Sequence, residues 1–487
     1  MASVKFVDTT LRDGNQCLWA TRLSTPQMYP ILDALGRSGF HAIELMGLVH
    51  FDAPVRYLKE NPWERIRLVH DKIKAVPLQS LMRSNCLLGF DPKPDDINQL
   101  WLERLVANGI QRIVSFDGLH DWSNIVNNLR YTKKLGATAG AWLTFSESPI
   151  HTDEFYVEKA KELITQVPDL DLITLEDASG ILTVDRIRTL IPAIKGAIGD
   201  ITLELHGHCL TGQAPLVYLE AARLGVEILY TSIPPLADGA APPSVVQSVN
   251  NLRRLGFTHD LDLDAIEEIR DYLTRLAEVL NLEHGKPVEF DIFQHEHQIA
   301  GGVLSNLRSQ LRDAGLSHRL DEVLEECIHV RRDLGWPIVV TPFAQLLVTQ
   351  SVLNVVHGER YRIVPDEIKK YVLGYYGHPQ SKIDEDILDR IIENGSDRIS
   401  SVPPELLPAV SDLREQYRDA DDDERLLRYL FQGTQVDAMV EAGSIDVDSF
   451  SLDRYGSVVD ILENLLRNTN LTHLEYSSGN MYFSFKR

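Results

Sequence analysis

The sequence predicts an α/β protein: a closed (β/α)8 TIM barrel, then a mainly helical region, then a small C-terminal α-plus-hairpin module. Three observations carry that expectation. Short β-branched and aliphatic runs recur about every 32 residues through the first half of the 487-residue chain, helical patterns separate them, and the recurrence stops after the eighth.

The runs are "VKFVDTT" from 4, "AIELMG" from 42, "PLQSLMR" from 77, "RIVSFDG" from 112, "TAGAWLTFS" from 138, "DLITLED" from 171, "ITLELHGH" from 201 and "EILYTSI" from 227. Between them, segments such as "TPQMYPILDALGRSG" space apolar residues at helical intervals and close on Gly. Near-continuous apolar strands belong to a parallel sheet covered on both faces, and in a closed barrel the chemistry stands at the strands' C-terminal ends. An open doubly wound sheet is the competing architecture, but neither GxGxxG nor GxxxxGK[ST] occurs. The barrel is expected over 1–290 and a helical region over 291–410, where strand signals are gone. Over 411–487 a charged linker, "SDLREQYRDADDDERLLRYL", should lead to a helix with Val458, Ile461, Leu462, Leu465 and Leu466 on one face. Two strands around a Ser-Gly turn follow in "LTHLEYSSGNMYFSFKR".

Composition narrows the partners. Lys plus Arg total 48 against 71 Asp plus Glu, and a net charge of -23 repels nucleic-acid phosphates and anionic membrane surfaces alike. The four cysteines, Cys17, Cys86, Cys209 and Cys327, lie far apart with no CxxC spacing, so reduced thiols in a cytoplasmic protein are expected and no metal knuckle. No apolar signal core opens the chain and no run of 18 apolar residues occurs, so no membrane association is expected.

Chemistry concentrates at three strand ends. In "LHGH" His206 and His208 are two apart and project from one face of the strand, where two imidazoles can share a divalent metal. "DTTLRDGNQ" sets Asp8, Arg12, Asp13 and Gln16 just past strand one, which only strand eight separates from strand seven, so Asp13 can complete a site of two histidines and one carboxylate. Arg83 ends strand three as a fixed cation for a substrate carboxylate, or else as a salt-bridge partner of Glu44 or Asp117. The acid pair Glu176 and Asp177 in "LEDASGIL" stands at the end of strand six.

At this point the sequence is recognisable. "DTTLRDGNQCLWATR", "FDAPVRYLKENPWERIR", "LQSLMRSNCLLGF", "SPIHTDEFYVEKAKEL", "GGVLSNL", "VTPFAQLLVTQSVLNV" and "YVLGYYGHP", in unbroken order over roughly residues 3 to 440, closely resemble the carboxyltransferase domain of pyruvate carboxylase, the oxaloacetate decarboxylase α chain and the transcarboxylase 5S subunit. The resemblance implies a barrel with a helical funnel, a barrel-top divalent metal such as Zn, Mn or Co, and transfer of CO2 between carboxybiotin and a small acid, usually a 2-oxo acid. It implies Asp13, His206 and His208 as metal ligands, Gln16 and Arg83 as holders of the substrate's carboxylate and keto oxygen, and Ser305 in "GGVLSNL" as the hydroxyl that shuttles a proton.

Departures from the family pattern matter as much. Where the family has Lys-Asp-Met-Ala-Gly, whose carboxylated lysine binds the metal, this chain has "EDASG", so Glu176 stands in the lysine's place. It is expected to complete or closely surround the metal site and, with Arg12 and Ser305, to serve catalysis. "LMGLVHFD" replaces the family's Trp-Gly-Gly-Ala-Thr run and leaves Met46 and His50 beside the substrate pocket, while Cys209 replaces the usual Asp. None of the six methionines precedes a Lys, so biotin is expected on a separate subunit, and the tail resembles the segment before the biotinyl domain of the acetyl-CoA carboxylase carrier. The leading expectation is the carboxyltransferase subunit of a multi-subunit, biotin-dependent carboxylase or decarboxylase, partnered by biotin carboxylase and carrier subunits and assembled as a homo-oligomer of dimers. A biotin-independent metal-dependent lyase of the same barrel superfamily is the alternative. A metal-free scaffold, with Glu176 simply paired to Arg12, is the third.

Overall fold

The computed structural model describes residues 2–452, 473–478 and 481–486. Eight parallel strands close into a barrel in chain order: β1 (Lys5–Asp8), β2 (Ala42–Met46), β3 (Leu78–Arg83), β4 (Arg112–Phe116), β5 (Thr138–Thr144), β6 (Leu172–Asp177), β7 (Thr202–Gly207) and β8 (Ile228–Thr231). Each falls on one of the eight runs. Closure is a register of β1 on β8 from Lys5 opposite Ile228 to Asp8 opposite Thr231. Strands β2, β4 and β6 are buried along their whole length, as helices outside and side chains inside require.

The barrel interior is partly polar. Gln79 Nε2 donates to Glu44 Oε1 at 3.0 Å, Tyr230 Oη donates to Glu204 Oε2 at 3.0 Å, and Arg112 forms an ion pair with Glu204. These groups answer one another in a dry interior, where a buried charge survives only if paired and hydrogen-bonded.

Helix α1 (Asn15–Trp19) follows β1, α2 (Pro62–Lys72) and α3 (Asp95–Asn108) clad the wall after β2 and β3, and α4 (Leu263–Leu280) completes the cladding after β8. The chain then turns helical, with α5 (Gly301–Asp313), α6 (Leu320–Asp333) and α7 (Phe343–His357). Val303, Leu307, Val323, Val330, Phe343 and Leu347 of these helices share a second apolar core with Leu119, which follows β4. Ile338 and Val340, just before α7, pack with Phe116, Trp142 and Tyr230 of the barrel, so the helical region is seated in the barrel's mouth.

The charged stretch beyond residue 411 folds as α8 (Val410–Gln416), α9 (Asp422–Leu430) and α10 (Gly433–Ala442). Leu413, Leu426, Leu427, Val436 and Met439 join the barrel's own core, so this stretch is cladding and not a free linker. Beyond it, β9 (His473–Ser478) and β10 (Met481–Lys486) pair antiparallel with Ser478 opposite Met481, the hairpin expected there. The helix expected around Val458 to Leu466 lies outside the described residues. Among the described residues no helix is long and apolar enough to cross a membrane.

Candidate active site

The site begins where β1 ends. The chain leaves Asp8 in a π-helical turn over Thr10–Gly14, in which Asp13 N donates to Thr9 O at 2.8 Å and Gly14 N to the same oxygen at 3.1 Å. The extra residue per turn re-aims side chains, which is why such turns recur at functional sites. Gly14 is required because a Cβ there would overlap the Leu236 carbonyl. The turn buries both Arg12 and Asp13.

Asp13 Oδ2 lies 3.0 Å from His206 Nε2 and 3.2 Å from His208 Nε2, and the two imidazole nitrogens are 3.3 Å apart. Bonds of about 2.1 Å to one ion place neighbouring ligand atoms about 3.0–3.4 Å apart, so these three atoms match one face of a coordination shell. The surroundings agree. His208 Nδ1 is 2.7 Å from the Ala240 carbonyl, which fixes a proton on Nδ1 and frees Nε2, and the His206 ring stacks on Trp142 with centroids 4.8 Å apart. Asp13 Oδ2, though buried, receives no hydrogen bond of good geometry from the described residues, as suits an oxygen meant for a cation. The residues present therefore fit a divalent metal.

Charge is arranged to match. Burial works against ionised Asp13, yet Arg12 and His208 hold it well below the ordinary carboxylate value. Burial also works against a charged His208, but Asp13 lifts it well above the ordinary imidazole value, whereas burial keeps His206 lowered. Arg12 Nη1 contacts Asp13 Oδ1 at 3.1 Å, and its Nε and Nη2 each reach Glu44 Oε2 at 2.6 Å.

Glu176 lines the same cavity with one of its two oxygens engaged. Its Oε2 accepts from Thr144 Oγ1 at 2.6 Å, and burial raises it to about 7. The Glu176–Arg12 pair expected of a metal-free scaffold does not form, because Glu44 and Asp13 occupy the guanidinium. Its neighbour Asp177 is structural: its two oxygens accept from Ile181 N at 3.0 Å and Leu182 N at 2.7 Å, closing the turn after β6.

A cavity of about 190 Å³ opens over this floor, lined by Asp13, Gln16, Arg83, Glu176 and His208 from the barrel and by Gly301, Gly302, Val303, Val340 and Ala344 from the helical region. Arg83 makes neither of its candidate salt bridges. It donates to the carbonyls of Leu87, at 3.1 Å, and Gly89, so among the described residues no carboxylate answers its charge. Four sequence-derived site residues stand outside this lining, the first being His206, which is buried against Asp13 and His208. Ser305 lies on the exposed side of α5, because two residues past Val303 is about 200° around a helix. Met46 is buried at the end of β2. His50 is buried as well, and that burial, with Arg12 beside it, drops the imidazole to about 3. In their place Gly47, Leu48 and Val49 reach the cavity.

Sequence reasoning missed Thr144 and Cys17. Thr144 carries no signal beyond its place at the end of β5. Cys17 had one, since four residues after Asp13 on a helical segment is the same face. Its Sγ lies 3.4 Å from Asp13 Oδ1 and 3.9 Å from His208 Nδ1.

Comparison with known proteins agrees with this architecture. A family model described as a conserved carboxylase domain matches residues 295–459. A pyruvate carboxylase subunit of Methanocaldococcus jannaschii is 38% identical over 406 residues, covering 83% of this chain and 71% of that protein. The 2-oxoglutarate carboxylase large subunit of Hydrogenobacter thermophilus is 33% identical, covering 88% of this chain and 67% of that protein. The fold is shared with the carboxyl transferase domain of Rhizobium etli pyruvate carboxylase, solved with pyruvate and biocytin, at a TM-score of 0.82 and 21% identity over 99% of this chain and 84% of that one.

Proposed function

This chain belongs to the biotin-dependent carboxyltransferase family, and from that premise we propose that it moves a carboxyl group between carboxybiotin, carried on a separate polypeptide, and a small carboxylic acid at the barrel-top cavity. The single observation that carries the proposal is the convergence of Asp13 and His208 on the floor of a cavity whose wall holds an uncompensated arginine, with His206 buried directly against both. A divalent metal held by those three residues would supply Lewis-acid polarisation of the acceptor's carbonyl.

The chain's own residues do the rest. Arg83 presents a cation for the acceptor's carboxylate, and Gln16 an amide at the cavity edge. Glu176, raised to about 7, exchanges a proton near neutral pH at the cavity wall, and Thr144 holds its carboxyl in place. Ser305 is not assigned the proton, since it stands off the cavity lining. A cavity of about 190 Å³ suits a small acid better than a whole acyl-CoA.

The test begins with metal analysis of the purified protein. One bound divalent ion, lost in His206→Ala and His208→Ala together with carboxyl exchange, is expected; unchanged metal and activity overturns the site. Avidin capture from the native source should recover this chain with a biotinylated partner, and a panel of 2-oxo acids should then identify the acceptor.

A further inference from the structure

We propose that Gln298 is a positioning residue for carboxyl transfer: it keys the roof of the cavity to the strand ends that carry Thr144 and Glu176. This rests on the functional reading of the cavity and goes beyond it in naming what holds the two halves of the site in register.

Gln298 ends the short helix over Ile292–His297 in a left-handed conformation, at φ 57°, and is buried. A residue with a side chain adopts that backbone only where its surroundings hold it there. The holding contacts all come from the barrel. Gln298 Oε1 accepts from Ser146 Oγ at 2.7 Å and from Glu147 N at 3.3 Å, and its Nε2 donates to Glu147 O at 2.8 Å. Its backbone carbonyl accepts from Ser179 Oγ at 2.7 Å. One residue thus grips the chain after β5 and the chain after β6 together. Ser146 stands two residues past Thr144 and Ser179 three past Glu176, and Phe145 N donates to Glu176 O at 2.6 Å between them. Two residues beyond Gln298 the chain reaches the cavity, where Ala300, Gly301, Gly302 and Val303 line it.

A second set of contacts converges on the same two barrel residues. Arg331, buried on α6, donates from Nη2 to Ser146 Oγ at 2.7 Å and from Nη1 to Glu147 O at 3.0 Å. Its Nε donates to Pro337 O at 3.0 Å, two residues before Val339 and Val340 line the other apolar wall. Both segments that the helical region lends to the cavity are therefore referenced to Ser146 and Glu147. Removing the Gln298 amide takes the acceptor from Ser146 Oγ and Glu147 N on the roof side alone. Arg83 belongs to β3, so the hold on the acceptor's carboxylate is untouched. The consequence is a misaligned roof over Glu176 with the acceptor still bound, which slows the reaction without weakening binding.

Carboxyl exchange by the full-length chain in complex with its biotinylated partner tests this. Gln298→Met keeps length and bulk and removes the amide's three hydrogen bonds. Expressed per bound metal, kcat should fall about 10-fold or more, with the acceptor KM within about twofold of wild type. Ser146→Ala removes the hydroxyl from the other side of the contact, should show the same split in milder form, and decides the matter if Gln298→Met folds poorly. The loss in the double variant should be smaller than the product of the two single losses, because both act through one contact. A lowered melting temperature with kcat per metal and KM unchanged makes Gln298 a brace of the fold and overturns the inference. A raised KM at unchanged kcat overturns it too, since the residue then serves acceptor binding. A metal-loaded wild-type complex that exchanges carboxyl with no 2-oxo acid overturns the functional reading, and this inference with it.

Discussion

Glu176 shows how far one side chain can be read from its neighbours in sequence. Its place at the end of β6 was legible, because a buried run that ends in acids marks a functional rim. Its role was not, since the Thr144 hydroxyl that claims its carboxyl arrives from the preceding βα unit. Glu176→Gln keeps the shape and the Thr144 contact but removes the titrating oxygen. Metal content should be unchanged and carboxyl exchange should fall by about 10²-fold or more, measured with labelled bicarbonate or oxo acid. The histidines at 206 and 208 were legible because a two-residue spacing on a strand has one structural meaning. Cys17 was legible only in its spacing of four from Asp13, which acquires meaning once the segment around Gly14 is known to be helical. A different histidine, away from the site, contributes to acid stability. His151 is buried, with Nδ1 2.6 Å from Ser148 Oγ and Nε2 2.8 Å from Gln380 Oε1, and burial together with Arg331 lowers it to about 3. A depressed folded value means stability fully present above the unfolded value of 6.5 and lost as pH falls toward 3. Between pH 7 and 5 the wild type should therefore lose about 2 kcal/mol more than His151→Gln, read from urea unfolding at each pH.

At the scale of elements, the period of the strands made the barrel visible and the charge of residues 411–430 hid their packing. "SDLREQYRDADDDERLLRYL" looks solvated because its charged residues outnumber its apolar ones, yet α9 turns Leu426 and Leu427 into the core and buries Asp423. That carboxylate accepts from Arg67 at 2.9 Å, from Arg104 at 2.7 Å and from Asn108 Nδ2 at 3.0 Å, while the Asp423 backbone oxygen accepts from Trp63 Nε1 at 3.1 Å. The partners lie on α2 and α3, more than 300 positions away in sequence, so no local pattern announces them. Asp423→Ala takes from buried Asn108 Nδ2 its side-chain acceptor and leaves it only the Arg104 carbonyl at 2.8 Å, whereas Arg67 and Arg104 are partly exposed and regain water. The cost should therefore be about 2–3 kcal/mol rather than the larger penalty of a fully buried ion pair. Limited proteolysis should then cut within residues 410–442 before the barrel is touched.

The whole molecule places its chemistry at a seam. The barrel supplies the charged floor, and the helical region supplies the apolar wall of Val340 and Ala344 and the start of α5. Neither half encloses the cavity alone. Gly118, just past β4, sits at that seam: a Cβ there would meet Phe343 at 2.8 Å and Val340 at 2.9 Å, both buried and unable to swing aside. Gly118→Ala should cost about 1–3 kcal/mol, the usual penalty for overpacking a filled interior. The strain has one soft outlet, a shift of the segment carrying Val340 and of α7 away from the barrel, because the barrel side is fixed by β4 and its parallel neighbours. That shift widens the cavity without moving Asp13, His206 or His208. Acceptor KM should rise several-fold while metal content stays at the wild-type level and kcat changes less. If instead metal is lost or kcat collapses with KM unchanged, the helical region shapes the floor and not merely the wall, and the division of labour between the two halves is wrong.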